Sequence, residues 1–143
     1  MRVVLDASVA IKLATTEPDS YRAQPLVYCG LHAPDLMFAE ITNIIWKKQA
    51  RGDLTAELGQ QALDALSSLR LTVTPSRDLM GMALELASAR SHPAYDMFYV
   101  ALAVRSGIPL ITADTRLVGR IRALSPTPSW AYLITPLAEF QPG

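Results

Sequence analysis

The stretch from Pro93 to Asp114, PAYDMFYVALAVRSGIPLITAD, constrains the fold of this chain more than any other. It predicts an apolar helix, a Gly-Ile-Pro turn and a short apolar strand, with one carboxylate in the first helical turn and another just past the strand. Between Ala94 and Val104 there is no Lys, Arg or His. Tyr95, Phe98, Tyr99 and Leu102 take one side of the predicted helix, and Met97, Val100, Ala101 and Val104 take the other. A helix apolar nearly all round belongs in an interior. Asp96 is then the anomaly, because an unpaired buried charge is strongly unfavourable and the adjacent sequence offers no cation.

The remaining segments supply the partners of that helix and strand. Val3-Val4-Leu5 is a short β-branched run of the kind buried on both faces of a sheet, and Asp6 ends it before a helix over Ala7 to Leu13. A turn at Glu17-Pro18-Asp19-Ser20 leads to a helix predicted from about Tyr21 to Tyr28, then a strand at Leu31-His32-Ala33. From Asp35 to about Arg51 the pattern is helical, with Met37, Ile41, Ile44, Ile45 and Lys48 on one face, and Gly52 stops it. Thr55 caps a further helix in which Leu58, Ala62, Leu63, Leu66 and Leu69 recur at helical spacing. Leu71 to Thr74 predicts a strand, Pro75-Ser76 a turn, and the residues up to Arg90 a helix. Beyond Asp114 come a short helix carrying Arg116, Arg120 and Arg122, a proline-rich loop, and a last strand from Trp130 to Ile134.

Short apolar strands alternating with helices specify an α/β fold: about five parallel strands with helices on both faces, residues 1–143 forming one domain. In such sheets ligands bind beyond the carboxyl ends of the strands. Asp6 and Asp114 both stand at carboxyl ends.

Thirteen basic and thirteen acidic side chains balance to zero formal charge, which excludes a broad basic surface but not a local patch. Cys29 is the only cysteine, so neither an intrachain disulfide nor a cysteine zinc site is available. The amino terminus meets Asp6 too soon for a secretory leader, and no run approaches the ~20 apolar residues of a membrane span. The expectation is a soluble, cytoplasmic protein without a membrane role.

Four carboxylates are candidates for one site: Asp6, Glu40, Asp96 and Asp114. Each has an ordinary explanation taken singly. Asp6 and Asp114 are placed to cap the following helices, Asp96 to complement a helix dipole, and Glu40 to pair with Lys47 on the surface. As a set they differ, because none has a lysine or arginine three or four residues on. Like charges gathered at neighbouring strand ends repel unless a cation lies between them. An all-oxygen donor set without cysteine or paired histidine selects a hard cation, Mg²⁺ or Mn²⁺, and such ions promote phosphodiester hydrolysis through an activated water. A haloacid-dehalogenase-like phosphatase also begins with a strand and an Asp, but needs a second Asp two positions on. Here that position is Ser8.

The same residues carry a resemblance. Val3-Val4-Leu5-Asp6-Ala7-Ser8, Glu40 with Asn43, Tyr95-Asp96 with its apolar helix, and Leu110-Ile111-Thr112-Ala113-Asp114 are similar, in order and spacing, to the motifs of PIN-domain proteins. The likeness is specifically to the small VapC-type ribonuclease toxins of toxin–antitoxin pairs, and runs from the amino terminus to about Arg116. It implies a single PIN-like domain, an acidic site of Asp6, Glu40, Asp96 and Asp114, Mg²⁺ or Mn²⁺ as cofactor, and metal-dependent hydrolysis of RNA. It further implies a homodimer and a cognate antitoxin as protein partner. Ser8, Asn43 and Thr112 match residues that support the acidic cluster, and Lys12, Arg116 and Arg120 are candidate phosphate contacts. The alternatives are an RNA-processing nuclease of the same fold without an antitoxin, and a non-catalytic RNA- or protein-binding module. His32 and His92 are given no catalytic role.

Overall fold

The computed structural model describes residues 1–143, every position of the chain. Its centre is a parallel sheet of five strands: β1 (Arg2–Leu5), β2 (Gly30–Pro34), β3 (Leu71–Thr74), β4 (Leu110–Thr112) and β5 (Ile134–Pro136). The spatial order is β3-β2-β1-β4-β5. The chain therefore winds from β1 outward in one direction through β2 and β3, then returns to lay β4 and β5 on the other side. That reversal leaves a crevice between the carboxyl ends of β1 and β4, the place where open α/β sheets receive ligands.

Register aims the two strand ends at each other. Val4 lies beside Leu110 and Leu5 beside Ile111, and the ladder continues as the Asp6 amide donates to the Ile111 carbonyl at 3.2 Å. Asp6 and Thr112 are thereby brought side by side where the strands run out.

The connecting helices are α1 (Ala7–Ala14), α2 (Ser20–Ala23), α3 (Leu36–Ala50), α4 (Ala56–Ser67), α5 (Met80–Arg90), α6 (Ala94–Ser106) and α7 (Thr115–Arg122). Local chemistry sets their ends. The Thr55 hydroxyl caps α4 by accepting from the Leu58 amide at 3.1 Å. Pro93 precedes the first residue of α6, and Gly107 ends that helix in the left-handed region at φ 65°, which glycine adopts without steric cost. Thirty-five buried apolar residues form one contiguous core. Helix α6 runs through it, with Met97 and the whole run from Tyr99 to Ala103 buried.

Three expectations shift. The helix predicted from Tyr21 to Tyr28 stops at Ala23, and Gln24–Tyr28 tightens into a 3₁₀ turn. Pro25 cannot donate the hydrogen bond that would continue an α-helix. The last strand starts where it was expected to end: Ala131–Leu133 is a 3₁₀ turn and only Ile134–Pro136 joins the sheet. The Ala131 amide binds the Pro128 carbonyl at 3.0 Å and the Leu133 amide binds Trp130 at 2.9 Å, so these amides serve consecutive turns instead of a ladder. Tyr95 is exposed rather than grouped with buried Tyr99, since it stands in the first turn of α6, beyond the body of the helix that the sheet covers.

Candidate active site

Thr112 ties together the two strand ends that flank the crevice. Its hydroxyl, fully buried, donates to Asp6 Oδ2 at 2.5 Å and accepts from the Asp114 amide at 3.0 Å. Ser8 adds a second clasp, its hydroxyl accepting from the Ala113 amide at 3.1 Å. Each of these buried groups, stripped of its partner, would cost about 1–3 kcal/mol. The two hydroxyls consequently fix Asp6 and Asp114 relative to one another.

Both aspartates also cap helices, as their positions suggest. The Ser8 amide approaches Asp6 Oδ1 at 3.5 Å, while Asp114 Oδ1 accepts from the Arg116 and Leu117 amides at 3.0 and 3.1 Å. A cap uses only part of a carboxylate's acceptor capacity. Capping and service in a shared site are therefore compatible.

Glu40 from α3 and Asp96 from α6 lie within electrostatic reach of the strand-end aspartates. The Asp6 carboxyl is held above the usual carboxylate range by burial, against the opposing hydrogen bonds of Thr112 and Ser8 and with a further push from the Asp96 charge. Burial raises Glu40 as well, against the lowering influence of the Tyr99 hydroxyl, and the charges of Asp6 and Asp96 add to the rise. Asp96 is raised by burial and by Asp114, while His92 and Arg120 pull the other way. Charge coupling thus reaches across two helices and two strand ends: Asp96 acts on Asp6, Asp6 and Asp96 act on Glu40, and Asp114 acts on Asp96.

Two atoms in this region lack ordinary partners. Glu40 Oε1 and the Tyr99 hydroxyl are both buried, and neither makes a well-formed hydrogen bond. Tyr99, one turn beyond Asp96, is close enough to the carboxylates that its hydroxyl is pushed far up, by burial first and then by Asp6 and Glu40.

A divalent ion fits this chemistry. The donors are all hard oxygens, their mutual repulsion calls for positive charge, and Glu40 Oε1 is a buried acceptor without a well-formed hydrogen bond, its one close neighbour being the Tyr99 hydroxyl. As the side chains stand, no three acidic, histidine or cysteine groups are gathered closely enough to ligate one ion. Burial first and mutual repulsion second raise their proton affinity, and closing around an ion would require side-chain rotation.

The supporting residues divide. Ser8 and Thr112 join the cluster directly. Asn43, one turn beyond Glu40, is exposed and lines a cavity of about 290 Å³ with Glu40, Leu36, Ala39 and Tyr95. Arg116 and Arg120 are exposed on α7, and only Arg120 is felt by Asp96. Lys12 points elsewhere: its ammonium is held by Glu17 Oε2 at 2.8 Å and Asp19 Oδ1 at 2.7 Å, so as the side chain stands its charge is already neutralised. Lys48 completes that network on Glu17 Oε1 at 2.7 Å.

The His92 imidazole lies beside Asp96, with Nε2 3.7 Å from Oδ2. Its Nδ1 lies 3.0 Å from the Pro93 carbonyl, which can only accept, so Nδ1 carries a proton there. Nε2 then pairs with Asp96 when the imidazole is charged.

A PIN-domain family model matches residues 3–122. The chain belongs to the PIN-domain family. Ribonuclease VapC3 of Pyrobaculum aerophilum is 33% identical to this PIN-domain chain over 128 residues, covering 87% of the chain and 98% of the relative. Among solved structures, PAE2754 from Pyrobaculum aerophilum superposes with a TM-score of 0.66 at 24% identity, over 84% of this chain and 79% of that one. VapBC2 from Rickettsia felis, bound to a DNA fragment from its promoter, superposes with a TM-score of 0.60 at 15% identity, over 95% and 97% of the two chains. The PIN fold thus accounts for the five-stranded parallel sheet, and the similarity to VapC proteins spans nearly the whole domain.

Proposed function

We propose that this PIN-domain chain, working as one domain over residues 1–143, is an endoribonuclease that hydrolyses RNA phosphodiester bonds with Mg²⁺ or Mn²⁺. The observation that supports the reading best is that Asp6, Glu40 and Asp96 have raised proton affinity through burial and through charge coupling within the set Asp6, Glu40, Asp96 and Asp114. In it, those four carboxylates hold the ion. A bound divalent ion supplies an activated water and stabilises charge developing at phosphorus. Thr112 and Ser8 hold Asp6 and Asp114 in register, so little reorganisation is left for the moment of reaction. Asn43 supports Glu40 from the rim, and Arg116 and Arg120 meet the phosphates of the strand.

We assign the chain, with its family, the role of toxin paired with an antitoxin protein in the cytoplasm. No helix is long and apolar enough to cross a membrane, in keeping with that location. A homodimer accords with an apolar face on which Met80 and Leu84 of α5 lie exposed beside Phe98 of α6.

Purified protein incubated with single-stranded RNA tests the activity. Cleavage is expected with Mg²⁺ or Mn²⁺ and not with excess chelator. RNA left intact in both metals, or cut equally in chelator, removes the proposal.

A further inference from the structure

Next to the acidic crevice, on the far side of His92, lies a cavity of about 320 Å³ lined by Arg90, His92, Met97, Arg120, Ile121 and Leu124 among others. Resting on the ribonuclease reading, we propose that this cavity is a subsite for the RNA strand, in which Arg90 and Arg120 grip a backbone phosphate neighbouring the one that is cut.

The composition of the walls is the first argument. Two arginines from separate helices, α5 and α7, line the cavity together with the apolar Met97, Ile121 and Leu124 in a chain with no net charge. A hydrated ion gains nothing from that apolar lining, whereas a sugar or base attached to the phosphate does. Guanidinium forks suit phosphate oxygens better than any other side chain does.

Arg90 is the second argument. Its guanidinium stacks on the Trp130 ring at 5.0 Å, and one terminal nitrogen donates to the Leu86 carbonyl at 3.3 Å. No carboxylate pairs with it, and its buried Nε has no partner at all. A buried donor left unpaired is unfavourable unless something else uses it. The group is held in place and has capacity to spare.

The third argument is selection among the arginines of α7. Arg122 is already engaged, bidentate on Glu139 at 3.1 and 2.8 Å. Arg120 makes no such bond, lines the cavity, and is the α7 arginine whose charge reaches Asp96. An anion held between Arg90 and Arg120 would lie along the path of a strand whose scissile phosphate sits at the carboxylates.

Steady-state cleavage of a short single-stranded RNA in Mg²⁺, run over a series of salt concentrations, tests the subsite with wild type, Arg90→Gln, Arg90→Lys, Arg120→Gln and the exposed control Arg77→Gln. Arg90→Gln and Arg120→Gln are each expected to raise KM about tenfold with kcat nearly unchanged. Each should also flatten the dependence of log(kcat/KM) on log salt by about 0.7, the value of one lost phosphate contact on a single strand. Arg90→Lys should restore the salt slope, which a purely structural role at Trp130 would not produce. Arg77→Gln should match wild type. If wild type cleaves and Arg120→Gln keeps its KM and salt slope, the subsite is refuted and the nuclease stands, even should Arg90→Gln fail to fold. If wild type cleaves no RNA, both readings fall.

Discussion

Asp96→Asn is expected to abolish metal-dependent RNA cleavage and to leave the fold intact. The loss should exceed the roughly 10–100-fold that removing a partner behind a metal ligand costs, because Asp96 is proposed as a ligand itself. The substitution keeps shape and removes charge. In the metal-free protein that charge is a liability: burial and Asp114 both disfavour it, and His92 and Arg120 compensate only in part. Thermal unfolding in chelator should therefore show a variant as stable as wild type or slightly more so. Equal cleavage by the variant excludes Asp96 from the site. Lost cleavage with a large fall in melting temperature makes Asp96 a structural residue instead.

Chelated wild-type protein grows more stable as pH is lowered from neutral toward the ordinary carboxylate range, and added metal reverses the trend. The sign follows from proton uptake. Asp6, Glu40 and Asp96 have folded-state pKa values above their unfolded ones. Between those values the folded chain binds more protons than the unfolded, so stability falls as pH rises through the window and recovers as pH falls. Glu17 and Asp19 act in the opposite sense, in a lower window. Glu17, against the upward push of its own burial, is held low by Lys12 and Lys48, and Asp19 is held low by its hydrogen bond to Lys12. Their contribution is present above the ordinary carboxylate range and is lost as pH drops through their lowered folded values. The metal-free protein should accordingly show a stability maximum on the acid side of neutrality. At neutral pH, Mg²⁺ or Mn²⁺ at a hundred times its dissociation constant adds about 2.7 kcal/mol, worth several degrees at roughly 2–4 °C per kcal/mol, and the gain fades on acidification as protons compete for the ligands. Calorimetric melting across pH, with metal and with chelator, checks it. A melting temperature that drops steadily from neutral into acid in chelator, or does not respond to metal, contradicts the account.

The legible and illegible parts of the sequence differ in physical kind. Asp6 and Asp114 could be placed because each ends an apolar run, and strand ends in a parallel sheet share an address. The clasp through Thr112 was available from the family motif, but its geometry depends on the β1–β4 register. Lys12 misled because its partners lie five and seven residues on, across a turn, where helical spacing says nothing. His92 escaped for a related reason: it stands before Pro93, outside α6, and reaches Asp96 only through the bend of the chain. Tyr99 was recognised as apolar filling, while its hydroxyl, one turn from Asp96, meets Glu40 and Asp6. The last strand was displaced because the Ala131 and Leu133 amides close turns onto Pro128 and Trp130, a choice that the alternation of apolar residues does not reveal.

The most direct test of the central claim, that four carboxylates from two helices and two strand ends serve a single divalent ion, is anomalous diffraction from crystals of this protein soaked in Mn²⁺. The account predicts a manganese peak in the crevice between β1 and β4, ligated by carboxylate oxygens from among Asp6, Glu40, Asp96 and Asp114. A peak held by other residues, or a crevice without manganese at saturating concentration, would contradict it.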